Sequence, residues 1–100
     1  MLIHLVLFKL REDLSAQERE RFREGIESLR DIPAVIQLWA GPPADTPPRP
    51  VVLQDYDIGL VVLLQDRAAH DQYQEHPVHQ QFVQTFRNCW ERITVVDVNG

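Results

Sequence analysis

The sequence predicts an α+β subunit of the ferredoxin-like type, with the element order β-α-β-β-α-β and both helical regions on one face of an antiparallel sheet. Three observations predict it. Residues 2–10 and 56–65 are strands apolar on both faces, the mark of central strands covered on two sides. Two helical regions carry their own start signals, at Ser15 and at Asp66. The strands interleave with those helices in the order that puts the first and third strands in the middle of the sheet.

The first strand, LIHLVLFKL, presents Leu2, His4, Val6, Phe8 and Leu10 on one face and Ile3, Leu5, Leu7 and Lys9 on the other. Ser15-x-x-Glu18 is a capping box, so a helix starts just after Ser15, with Leu14 placed as a hydrophobic staple. Phe22, Ile26 and Leu29 form its buried stripe, and the charges from Glu18 to Glu24 form a solvated face. Pro33 closes that region. Residues 35–40 form a second strand, stopped at Gly41-Pro42-Pro43. Five of the seven prolines fall in residues 41–55, which read as a loop. In the third strand Gly59 signals a bulge or a close backbone approach. Asp66 caps a short helix through about Glu75. The residue before a proline avoids the helical region and proline suits the first helical position, so a further helix starts at Pro77 with His76 as its cap. The spacing of His79, Phe82, Val83, Phe86 and Trp90 carries this helix to about Trp90 or Arg92, with Cys89 in its second half, and residues 93–98 form the last strand.

One hundred residues make one domain, 1–100. A chain this size buries only about two-thirds of its unfolded surface. Helices cover one sheet face, yet the central strands are apolar on both, so a twofold dimer joining the open faces is expected: a dimeric α/β barrel with the chain itself as partner. The net charge of −5, with no basic block, argues against nucleic acid as a partner. The apolar stretch at the N-terminus is too short to span a membrane and lacks a charged leader, so a cytoplasmic protein without a membrane partner is expected. The lone Cys89 forms no disulfide framework and no zinc spacing.

Chemistry concentrates in Tyr73-Gln74-Glu75-His76-Pro77-Val78-His79. His79 shares its helix face with apolar residues, so it is buried in the first turn, where the positive end of the helix disfavours imidazolium. A buried His and Tyr serve either as general base and hydrogen-bond donor or as a structural network joined by His4. His76 is expected to cap the helix, and His70 reads as surface. His76 is extended and His79 helical, with no carboxylate placed beside them and His4, so neither a metal nor a cofactor is expected.

The chain resembles the stress-responsive dimeric α/β-barrel family, the Dabb domain. The matching pieces are His4 with the strand ending in Phe8-Lys9, Tyr56-Asp57-x-Gly59-Leu60, Tyr73-x-x-His76-Pro77-x-His79, Phe82, Trp90 and Val96-Asp97. The resemblance implies a ferredoxin-like subunit paired into a barrel. Its best-understood activity is that of plant polyketide cyclases similar to olivetolic acid cyclase, in which a histidine and a tyrosine promote aldol cyclisation. That pair falls on His79 and Tyr73. A pocket histidine falls on His4, and apolar pocket walls on Val6, Phe8, Phe22, Leu60 and Trp90. Where the cyclase has a second pocket tyrosine this chain has Ile26. Three readings stay open: a stress-response-type dimer with an apolar pocket for a small apolar or carbonyl-containing ligand, a cyclase-like lyase, and a dimer without catalysis.

Overall fold

The computed structural model describes residues 1–100. The strands are β1 (Leu2–Leu10), β2 (Gln37–Gly41), β3 (Ile58–Leu64) and β4 (Trp90–Asn99). The α-helices are α1 (Ala16–Ser28), α2 (Arg67–Glu75) and α3 (Pro77–Phe86), and a 3-10 turn covers Leu29–Asp31. One antiparallel sheet has the order β2-β3-β1-β4, which is the ferredoxin-like topology with the two most apolar strands inside.

Each α-helix starts where a side chain satisfies its free N–H groups. Ser15 Oγ accepts from Glu18 N–H, and the Glu18 carboxylate accepts from Ser15 N–H. Leu14 packs on the core; its staple partner position holds the polar Arg19, so the pair itself does not form. Asp66 caps α2 through Ala69 N–H. The imidazole of His76 accepts from Val78 N–H at 3.1 Å and so caps α3, with Pro77 in the first turn. Phe22, Ile26 and Leu29 are fully buried against the helix-facing residues of β1 and β3. The α1–α3 contact depends on Gly25, where an added Cβ would collide with the Phe86 ring.

Three expectations change. The last helix ends at Phe86 rather than near Trp90, and Cys89 lies in the following turn, where its N–H bonds the Phe86 carbonyl and its own carbonyl accepts from Arg11. Trp90 is the first residue of β4, opposite Leu10. The turn still delivers the Trp90 ring to the aromatic cluster that a helix would have reached, which is why helical spacing ran through it. The second strand starts two residues later than expected and takes in Gly41, and the third is trimmed to 58–64. Gly59 marks no bulge, since the register irregularity sits at Lys9/Leu10 instead, and an added Cβ there would meet the Tyr56 ring only in ordinary contact at 3.4 Å. Asp57 fixes the start of β3, donating its N–H to Phe8 and accepting from Leu10 N–H at 2.7 Å.

His4 faces the helices, so Ile3, Leu5 and Leu7 lie on the open face. By register Trp39, Val96 and Val98 share it, and Trp39 is 54 % exposed. That is an apolar surface of the kind that associates. No helix is long and apolar enough to cross a membrane.

Candidate functional site

The helices cover β3 and β1 but stop short of β4, whose helix-facing Ile93 and Val95 stay half exposed. Between α2, α3 and the β1–β4 half of the sheet lies an open cavity of about 550 Å³. Val6, Phe8 and Leu60 form its floor, and Tyr73, His79, Phe82 and Val83 line it from the helices. Trp90 and Asp97 contribute from β4. The expected site residues His4, Tyr73 and His79 are thus brought to one cavity, together with the expected walls Val6, Phe8, Leu60 and Trp90.

Phe22 and Ile26 are not walls. Both are fully buried behind the cavity. The Phe22 ring packs against Phe8 at 5.1 Å and Phe86 at 5.7 Å, which commits it to the core. The first helical region reaches the cavity one turn later, through Leu29.

Four rings run along the polar side. His70 and His4 have centroids 5.2 Å apart, His4 and Tyr73 5.8 Å, and Tyr73 and His79 4.8 Å, all edge to face. Tyr73 and His79 therefore touch through their rings, without the hydrogen bond that a structural network of the pair requires. Tyr73 lines the cavity, and its hydroxyl makes no hydrogen bond to another protein group. Burial holds the Tyr73 hydroxyl in its protonated form by raising its pKa. Burial also lowers His79 to about 4, with the charges of His4 and His70 adding to it. The imidazole is therefore neutral at pH 7, with desolvation the first cause.

His4 is the one polar residue among the fully buried set. Its Nδ1–H donates to the Asp97 carboxylate at 2.5 Å, because β1 and β4 put these residues directly opposite. On the other side its Nε2 lies 3.4 Å from the Gln74 side-chain amide. His70, expected at the surface, lines the cavity, since it precedes Tyr73 by three residues and shares its flank of α2. His4, His76 and His79 do not converge, because the His76 ring caps α3 by accepting from Val78 N–H. Ligand atoms of His4, His70 and Asp97 instead lie within 4.8 Å of one another. Asp97 had two sequence signals: it closes the family-like Val96-Asp97 pair, and it is the carboxylate in an otherwise apolar alternation, Ile93, Val95, Asp97.

The family model for the stress responsive A/B barrel domain matches residues 2–100. Among solved structures, a Dabb family protein with a ferredoxin-like fold from Mesorhizobium loti is 25% identical, with a TM-score of 0.81 over 99% of this chain and 95% of that one. A dimeric ferredoxin-like protein of unknown function from Bacteroides fragilis is also 25% identical, with a TM-score of 0.76 over 99% and 95%. A hydroxynitrile lyase from Passiflora edulis shares the fold at 17% identity, with a TM-score of 0.80 over 97% and 90%. No curated protein sequence matches the chain.

Proposed function

Because the chain belongs to the stress responsive A/B barrel (Dabb) family, we propose that it is a cytoplasmic twofold dimer whose cavity binds a small, largely apolar molecule bearing a carbonyl group. One observation carries this reading: a cavity of about 550 Å³ whose apolar floor meets a neutral imidazole and a phenol hydroxyl free of protein partners. The volume falls in the range of small-molecule sites, roughly 300–1,000 Å³. Mostly apolar walls with a few convergent polar groups are what such sites present.

The pair divides the work that proton removal beside a carbonyl requires. Tyr73, kept protonated, donates its hydroxyl to the carbonyl oxygen and stabilises charge developing there. His79, kept neutral, takes the proton from the adjacent carbon. The opposite shifts that burial gives the two groups, Tyr73 up and His79 down, fit a hydrogen-bond donor beside a neutral proton acceptor. Aldol-type cyclisation, the activity implied by the likeness to plant polyketide cyclases, uses this step, and a relative in fold is named a lyase. Where those cyclases carry a pocket tyrosine this chain has Ile26, buried in the core, so no hydroxyl reaches the cavity from that position.

Dimerisation through Ile3, Leu5, Leu7 and Trp39 fits the exposed sheet face and the dimeric relatives. The single free thiol, Cys89, fits a reducing compartment. The test is native mass spectrometry of the purified protein against a panel of small apolar carbonyl compounds. A saturable adduct of one molecule per chain is expected, lost in His79→Gln and Tyr73→Phe at unchanged melting temperature. If both variants instead unfold more easily and no compound binds, the pair is structural and the dimer has no catalytic role.

A further inference from the structure

We propose that His4, His70 and Asp97 form a binding site for one divalent transition-metal ion of the zinc class, set in the cavity wall. The three side chains come from three elements, β1, α2 and β4, and their ligand atoms lie within 4.8 Å of one another. Two imidazoles and a carboxylate are a nitrogen–oxygen donor set that suits zinc, iron, cobalt or nickel rather than magnesium or calcium.

The fold holds the set in place. His4 is 3 % exposed on a central strand, so its ring is fixed by packing. Asp97 is its cross-strand partner, and the sheet register fixes that approach. The Nδ1 of His70 lies 3.1 Å from the Asp71 carboxylate. A carboxylate behind one ring nitrogen sets the tautomer and leaves the other nitrogen free to ligate, the usual outer arrangement of a metal-bound histidine. Ligands about 2.0–2.2 Å from a zinc ion sit roughly 3.3 Å apart. Asp97, now 2.5 Å from His4 Nδ1, opens to that spacing and His70 closes to it by rotation of the two side chains, both of which reach solvent, around the fixed His4 ring. The ion displaces the proton that His4 and Asp97 share. All three residues line the cavity, so its remaining coordination positions face the same space as Tyr73 and His79.

This site does not depend on a carbonyl ligand, and its test contains none. The protein is stripped with a chelator, dialysed against zinc or cobalt, and assayed for bound metal after gel filtration. Cobalt absorption in the visible reports coordination by the protein. One ion per chain is expected. His70→Ala and Asp97→Ala each lose it, and Asp71→Asn weakens binding by about 10–100-fold, the usual effect of removing an outer partner. His76→Gln, outside the set, binds as the wild type does. His4→Ala is avoided because its burial risks the fold, and circular dichroism confirms that the variants used are folded. Absence of stoichiometric binding at micromolar metal, or equal binding by wild type, His70→Ala and Asp97→Ala, overturns the proposal and leaves His4–Asp97 as a hydrogen-bonded pair.

Discussion

Phe8 and His4 lie on the same face of the same strand, four residues apart, and the two halves of the cavity built around them differ in kind. Around Phe8 the rings of Phe22, Phe82 and Trp90 close to centroid distances of 5.1, 6.3 and 5.3 Å. Around His4 the neighbours are His70, Tyr73, Gln74 and Asp97, every one able to exchange a proton or a hydrogen bond. One strand face therefore supplies an anchor and a workplace. Burial of aromatic area fixes the position of the sheet against the helices, and that rigidity keeps the polar half in register.

The sharpest way to break this contrast is to truncate the anchor. Phe22→Ala should cost about 3–5 kcal/mol, measured by denaturant unfolding, because the ring is fully enclosed. Trp90→Ala should fall at the low end of that range, since its indole is half-buried at the cavity edge. An unchanged midpoint for Phe22→Ala would mean the first helix packs through another face. On the reverse side of the strand, Leu5→Glu should split the dimer, because an unpaired charge at an apolar interface is costly. Sedimentation of the wild type at micromolar concentration should give twice the 11.7 kDa chain mass.

Smaller effects are expected at the polar half, and they should depend on pH. His79 titrates at about 4 in the folded chain against 6.5 as its ordinary value. Between those two values the unfolded chain binds the extra proton, so stability rises with pH across that window and falls as pH drops from about 6.5 toward 4. His79→Gln should flatten that part of the profile. Asp13, Glu18 and Asp55 have lowered pKa values through their own partners, so their contributions are lost only below the ordinary carboxylate range. The rings of the aromatic half do not titrate, and truncations there should leave the slope of the profile between about pH 4 and 6.5 unchanged.

The two halves also differed in how far the sequence reveals them. Local signals were reliable: Ser15 with Glu18, Asp66, and His76 before Pro77 each marked a helix start that the structure contains. Alternation along residues 2–10 assigned every side chain to its face. What failed was the competition between local period and long-range pairing. Phe82, Phe86 and Trp90 recur every four residues, as in a helix, but pairing of Trp90 with Leu10 turns the chain after Phe86. The site suffered for the same reason. Tyr73 and His79 are six residues apart and could be read together. Asp97 meets His4 across 93 residues, and only the β1–β4 register joins them. His70 was legible in principle, because three residues from Tyr73 on a helix is the same flank.

The most direct test of the account follows the His79 ring itself, by carbon–proton NMR correlation of the imidazole groups during a pH titration, with and without a small apolar carbonyl compound. A His79 midpoint of about 4 is expected in the free protein, with a displaced His79 signal when the compound is added. A midpoint at the ordinary 6.5, with no displacement by any compound that binds, would contradict a neutral base facing an occupied cavity.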